Sequence, residues 1–286
     1  MQGVWLPPEP EIRHSGRVVL ISGGVRGIGR ALTDGFLGAG ARVVVFHRGV
    51  SEESQQAEAL LRRDHAQAME EKRLLLLRAD LTDPGDRRRV LERTEEAFGR
   101  LDVLINNAGV CYRTDLTPER IAEQERINAD APLAFSEEAA TLLRRNESFS
   151  PLWPTRGAIL GISSYVTEWK EYPSEYLRYY AASKRKLEQG LQELARRLRR
   201  DDINVNVIAV GVVYAGMGLA TIGRKEEQLR AGQLPVTKFA HVDAVVFEAL
   251  VLSHPRAHYK TGRIEVLDGG WNLGPDPTET EKSSSA

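Results

Sequence analysis

The segment Tyr180-Ala181-Ala182-Ser183-Lys184 opens a stretch with strong helical spacing, and a separation of i to i+4 puts a phenol and an ammonium on one helix face. A cation beside a phenol favours the phenolate and lowers its pKa. The hydroxyl can then exchange a proton with an alcohol or carbonyl oxygen near neutral pH. Tyr179 has Ser183 at i+4 and Tyr176 has Tyr180, so neither has the cation that Tyr180 has. Ser163-Ser164 closes an apolar run upstream, where a hydroxyl can hydrogen-bond the same oxygen. Adjacent strand residues face opposite ways, and Ser164, which ends the run, is expected to reach the crevice, with Ser163 as the fallback.

A second group of residues fits a nucleotide. Ser22-Gly23-Gly24-Val25-Arg26-Gly27-Ile28-Gly29 follows the first apolar run and leads straight into a helical pattern. Glycines at 23, 27 and 29 let the backbone turn tightly and approach a pyrophosphate, and the helix N-terminus offers free N–H groups and a positive dipole end. Asp80, in Ala79-Asp80-Leu81-Thr82-Asp83, could accept from an adenine amino group or cap the next helix. An acid at the end of the second strand receives the ribose hydroxyls of NAD, whereas a cation there accommodates the 2′-phosphate of NADP. This chain has His47-Arg48 and no acid over 46–50, with Arg26 as a second guanidinium on the same side. The coenzyme expected is NADP.

Such residues must be held at strand ends. Apolar runs recur at 17–21, 42–46, 74–77, 103–105, 158–162, 205–209 and 264–267, and several are continuous, as in strands covered on both faces. The segments between them carry helical spacing, for example Ile28, Leu32 and Phe36, or Leu187, Leu191, Leu194 and Leu198. Alternation to the end of the chain predicts an α/β protein with a Rossmann-like, doubly wound, seven-stranded parallel sheet and helices on both faces. One domain is expected over 17–273, with a flexible Pro-rich extension at 1–16 and a flexible tail at 274–286. Two stretches read as insertions, 144–156 and 212–238, the second expected to form a substrate lid.

The composition excludes several functions. Thirty-nine Lys plus Arg against 40 Asp plus Glu leave a net charge of -1, so the basic footprint of a nucleic-acid binder is missing. A single cysteine, Cys111, forbids an intrachain disulfide and leaves no Cys cluster for zinc, and the six histidines lack metal-ligand spacing. No stretch approaches the roughly 18 apolar residues of a membrane span. A soluble, cytoplasmic protein without a metal, acting on a small molecule, is expected.

In their order along the chain, the glycine turn, Asp80, the Asn106-Asn107-Ala108-Gly109 stretch, Asn128, Ser164 and the Tyr180/Lys184 pair resemble a short-chain dehydrogenase/reductase, over about residues 17–271. The gap between Gly23 and Gly27 is similar to that of the single-domain members, not the extended ones. The resemblance implies Tyr180 as general acid/base, Lys184 as the group that lowers its pKa and holds the nicotinamide ribose, and Ser164 as the residue that orients the substrate oxygen. Asn128 would anchor a water joining Lys184 to solvent. The implied cofactor track is Ser22, Gly23, Arg26, Gly27, Ile28, Gly29, His47, Arg48, Asp80, Leu81, Asn107, Ala108, Gly109, Gly211 and Val213, together with Tyr180 and Lys184. A homodimer or homotetramer is implied as well.

Three features depart from the family pattern. The Ser164–Tyr180 gap is about three residues wider than usual, Val210-Gly211 replaces Pro-Gly, and Ala215 stands where a Thr is expected. On the substrate side, Tyr165, Trp169, Tyr172, Tyr176 and Tyr179 crowd the segment before Tyr180, with Cys111, Tyr112, Tyr214, Met217 and Trp271 on neighbouring loops. Such a lining suits a flat or apolar carbonyl compound, though some of these aromatics could instead serve a subunit interface. The expected activity is NADPH-dependent reduction of a carbonyl to a secondary alcohol. Reduction of an imine or activated C=C on the same site, or a non-catalytic NADP-binding regulatory role, are the alternatives.

Overall fold

The structure, a computed structural model, describes residues 12–230, 234, 236 and 238–274. Seven strands alternate with nine helices among the described residues. In chain order they are β1 (Val18–Ser22), α1 (Gly27–Gly38), β2 (Arg42–His47), α2 (Glu52–Asp64), α3 (Ala66–Glu70), β3 (Leu74–Arg78), α4 (Pro84–Phe98), β4 (Val103–Asn106), α5 (Pro118–Glu125), α6 (Ala131–Leu143), β5 (Gly157–Ser164), α7 (Glu175–Leu198), β6 (Ile203–Val210), α8 (Leu219–Arg230), α9 (Asp243–Ser253) and β7 (Ile264–Leu267). A π turn, Arg126–Asp130, joins α5 to α6.

The sheet order is β3-β2-β1-β4-β5-β6-β7, and every pairing is parallel. Strands buried on both faces explain the unbroken apolar runs. Val18 and Leu20 of β1 join the core under α4, α6 and α7, while Val19 and Ile21 join the core under α1, α2 and α9. The order reverses between β1 and β4, and the crevice above the carboxyl ends of these strands is where an open α/β sheet holds its ligand.

Two strand ends differ from the sequence reading, β1 and β2 extending to Ser22 and His47, whereas β5 ends at Ser164 as expected. The extension expected to fray through residue 16 is packed by residue 14: the His14 N–H donates to the Ala39 carbonyl at 2.8 Å, and the buried ring meets Phe36 edge-on. Its apolar surroundings push the His14 pKa down to about 3, so it is buried neutral. Residues 1–11 and 275–286 lie outside the described residues. The segment expected as a lid loop carries α8, an element hidden from the sequence reading by weak apolar periodicity.

Candidate active site

β5 and α7 meet at the catalytic end. Ser164 and Tyr180 line the same cleft, and the Ser164 hydroxyl acts to lower the phenol's pKa, whereas the Ser163 hydroxyl donates to Glu188 Oε1 at 2.5 Å. Both serines border the cleft, and Ser163 is the one tied to Glu188. The segment between Ser164 and Tyr180 is held by local contacts. A 3₁₀ turn, Tyr165–Glu168, follows the strand, Arg185 donates to the Thr167 and Trp169 carbonyls at 2.7 and 2.9 Å, and the Tyr172 hydroxyl donates to the Val166 carbonyl.

Lys184 is 3% exposed. Its Nζ donates to the Ile162 carbonyl at 2.9 Å and lies 5.9 Å from the centre of the Tyr180 ring. A Cβ on Gly109 would stand 3.3 Å from this nitrogen and 3.1 Å from Asn128 Oδ1, so a residue without a side chain keeps the approach open. Asn128 sits on the π turn, a helix irregularity often found at functional sites. Its amide donates to the Val110 carbonyl at 2.8 Å and to Ser183 Oγ at 3.0 Å, and Oδ1 accepts from the Val110 N–H. This side chain pins the loop after β4 to the Tyr180 helix.

Burial dominates the electrostatics here. It lowers the Lys184 pKa to about 8 against the raising influence of Glu188. It holds Tyr180 above the usual phenol range, reinforced by Cys111 and opposed by the Ser164 hydroxyl. The lowering expected from Lys184 is not among the influences on Tyr180, whose pKa is set chiefly by desolvation. Burial also pushes the Cys111 thiol up, against an opposing influence from Arg113 and Lys184.

A cleft of about 720 Å³ runs from this end across the strand termini to the glycine turn. Gly23, Arg26, Gly27, Ile28, His47, Arg48, Asp80, Leu81, Asn107, Ala108, Gly109, Gly211 and Val213 line it with Ser164, Tyr180 and Lys184. Ser22, Gly29 and Asn128 stand behind the wall. Ser22 Oγ accepts from the Asn107 and Ala108 N–H groups at 3.0 Å, and the Asn107 amide donates back to the Ser22 and Gly23 carbonyls. A Cβ on Gly29 would fall 2.2 Å from the Gly23 carbonyl oxygen, so the helix can start against its own turn only with glycine there. Gly27 is left-handed (φ +57°), and its Cβ would press on Gly216 at 2.9 Å.

At the far end, Arg26 pairs with Glu53 at 2.5 Å and Arg48 lies 3.8 Å from Asp80. Asp80 Oδ1 accepts from the Thr82 N–H and hydroxyl, so one carboxylate oxygen closes its own loop. His47 is buried, its Nε2 3.1 Å from Glu58 Oε2, and burial lowers its pKa against that carboxylate. Arg62 and Arg78 also donate to Glu58. A narrow, glycine-walled cradle at a helix start, flanked by two guanidiniums, fits a dinucleotide carrying a 2′-phosphate.

Of the aromatic and sulfur residues expected around the substrate, Tyr165, Trp169, Tyr176, Cys111 and Met217 line the cleft. The others pack elsewhere: Tyr172 under Arg185, Tyr179 against Glu175 and Arg178, Tyr112 under Arg120, Tyr214 against Phe239, and Trp271 edge-on to Tyr165 from behind. Leu177, Val212, Leu219 and Arg113 complete this end. Sequence reasoning missed Glu53, Glu58 and Glu188. Glu188 was visible as the next turn of the Tyr180, Lys184 face, at i+8 and i+4. The two α2 acids required knowing where that helix packs.

The enoyl-(acyl carrier protein) reductase family model matches residues 23–272. The rhamnolipids biosynthesis 3-oxoacyl-[acyl-carrier-protein] reductase of Pseudomonas aeruginosa is 30% identical over 92% of this chain and 99% of its own length. The L-rhamnose-1-dehydrogenase of Scheffersomyces stipitis is 28% identical over 90% of this chain and 96% of its own length. Among solved structures, the Pseudomonas aeruginosa RhlG/NADP active-site complex superposes with a TM-score of 0.78 at 28% identity, covering 93% of this chain and all of that one. A short-chain dehydrogenase from Burkholderia cenocepacia in complex with NADP gives 0.76 at 28% identity over 91% of this chain and 99% of its own. With the strand order, the glycine turn and the Ser164, Tyr180, Lys184 cluster already in place, these matches make the chain an oxidoreductase of the short-chain dehydrogenase/reductase family.

Proposed function

We propose that this protein reduces a carbonyl group of an apolar or aromatic small molecule to a secondary alcohol, with NADPH as coenzyme. The observation that carries the reading is the meeting of Ser164, Tyr180 and Lys184 at one end of the cleft beside Tyr165, Trp169 and Tyr176, with Lys184 Nζ 5.9 Å from the centre of the Tyr180 ring. Arg26 and Arg48 would hold the 2′-phosphate, the Gly23 to Gly29 turn the pyrophosphate, and Lys184 the nicotinamide ribose. NADPH, when bound, supplies the hydride.

The chain's own residues supply the rest. Ser164 and Tyr180 donate hydrogen bonds to the substrate oxygen and fix the carbonyl. As negative charge develops on that oxygen, Tyr180 gives up its proton and the Lys184 ammonium stabilises the phenolate. A phenol held above its usual range is loaded with its proton at neutral pH. The two relatives bear names of opposite direction, a reductase of an acyl chain and a dehydrogenase of a sugar. A lining of aromatic rings with Leu177, Val212 and Leu219 supports the first type of substrate. β7 is the edge strand, and exposed Val266 with Tyr259 before it and Leu273 after it supports assembly with further copies.

NADPH consumption with a panel of apolar ketones, quinones, imines, conjugated enones and sugars tests the reading. Apolar ketones should turn over fastest. Turnover confined to imines or enones would change the bond type, and NADPH binding without turnover on any class would point to a regulatory protein.

A further inference from the structure

Glu188 is a carboxylate 95% removed from solvent on the helix that carries Tyr180 and Lys184, one turn beyond the lysine. Burying such a group is costly unless donors or a cation compensate it. Its compensation comes entirely from the wall of the active site. Oε1 accepts from Ser163 Oγ at 2.5 Å and from Thr167 Oγ1 at 3.0 Å, and the Lys184 ammonium acts on it from the preceding turn. Thr167 Oγ1 also lies 2.8 Å from the Ser164 carbonyl, so its one proton is shared between that oxygen and Glu188. Ser164 is thus gripped on both sides: the residue before it is tied to Glu188 directly, and its own carbonyl through Thr167. Lys184 adds a further tie between the end of β5 and this part of α7, through the Ile162 carbonyl.

We propose that Glu188 is a positioning residue of the reaction, whose carboxylate clamps Ser163 and Thr167 to the Tyr180 helix and faces the Lys184 ammonium, so that Ser164, Tyr180 and Lys184 hold one geometry. This rests on the reading of those three residues as the proton-transfer site. The ionisable groups around the pair are Tyr180 on the same helix, Cys111 from the loop after β4, and Glu168 from the turn after β5. Cys111 raises the lysine's proton affinity and Glu168 that of Glu188. The negative charge of Glu188 opposes the burial that lowers Lys184. Without it, Lys184 would release its proton more easily, and the alkaline limb of the rate profile would move to lower pH.

The test compares Glu188→Gln, which keeps the shape and loses the charge, with Ser163→Ala, which cuts one tie and keeps the charge. Thermal melts and NADPH affinity are measured alongside the pH dependence of kcat. Glu188→Gln should lower kcat about tenfold through misplacement of Ser164. It should also move the alkaline limb down by about one pH unit. Ser163→Ala should lower kcat by a smaller factor with the limb unmoved. A folded Glu188→Gln enzyme with the wild-type kcat and profile overturns the proposal. So does a variant that loses melting temperature while keeping both, which would make Glu188 a packing residue only. If Glu188→Gln does not fold, the Ser163→Ala, Thr167→Val double variant decides, and wild-type kcat in it is again a refutation. Tyr180→Phe serves as the control on the underlying reading: full turnover in that variant defeats the reading itself, whatever the Glu188 variants do.

Discussion

At the catalytic end of the cleft, Lys184 is 3% exposed, Ser164 and Glu188 are buried, and the two charged groups are each fixed by a partner in the wall. At the adenosine end, the side chains of Arg26 and Arg48 are 55% and 45% exposed and face acids across loops, Glu53 at 2.5 Å and Asp80 at 3.8 Å. In the buried group a charge has no water to fall back on, so deleting a partner leaves the other uncompensated. Exposed pairs are worth only about 0–1 kcal/mol, and a ligand phosphate can take over the cation at small cost. Chemistry needs the first kind of construction, and reversible coenzyme exchange needs the second. Substitutions at the two ends should therefore differ in size and in salt sensitivity.

The largest effect is expected at Tyr180. Tyr180→Phe removes the proton donor while leaving the ring that packs under Lys184, so kcat should fall by at least about 10²-fold with NADPH affinity nearly unchanged. Tyr179→Phe should behave as wild type, because the Tyr179 hydroxyl binds Glu175 on the exposed side of the helix. Steady-state kinetics and coenzyme titration of both variants check the contrast, and comparable losses in the two would undo it.

Ser164→Ala should come next, with a loss of about 10- to 10²-fold in kcat. Ser163→Ala should be milder, because Ser163 touches Glu188 and not the phenol. If Ser163→Ala is the worse variant, the assignment of the serine that faces substrate is reversed.

The coenzyme contrast is smaller. Two guanidiniums beside the site of the 2′-phosphate should favour NADPH over NADH by at least about tenfold in kcat/KM, about 1.4 kcal/mol. Arg48→Ala with Arg26→Ala should raise KM for NADPH far more than for NADH, and added salt should weaken NADPH binding more steeply. A preference for NADH, or indifference to the double variant, would make these arginines ordinary surface residues.

How much of this was legible beforehand follows the same division. The parallel sheet showed in the sequence because doubly covered strands must be apolar throughout, and Tyr180/Lys184 because a helix repeats every turn. Ser164 could be preferred over Ser163 because strand faces alternate. What stayed hidden depends on tertiary packing. Glu53 and Glu58 come from α2, which folds back over the end of β2, so a search for acids confined to 46–50 could not see them. His47, expected beside the coenzyme, does line the cleft, yet Nε2 is engaged by Glu58 beneath it. The rise in the Tyr180 pKa was invisible too, because spacing shows which charges are neighbours and only the fold shows how much water is excluded.

The smallest predicted effect is the most diagnostic of the adenosine end. Glu53 sits in the first turn of α2, is 76% exposed, and holds Arg26 at 2.5 Å. A coenzyme phosphate arriving there must draw Arg26 from this carboxylate and also meets its negative charge. A pair so exposed costs at most about 1 kcal/mol to break, which bounds the gain from removing it at about fivefold. Glu53→Gln should therefore lower KM for NADPH about two- to fivefold at low ionic strength, leave KM for NADH in place, and lose its advantage as salt is added. kcat should not change, since Glu53 lies at the opposite end of the cleft from Tyr180. A rise in KM for NADPH would mean that Glu53 orients Arg26 toward the phosphate. The exposed end would then be preorganised by its acid, as Glu188 is proposed to preorganise the buried one.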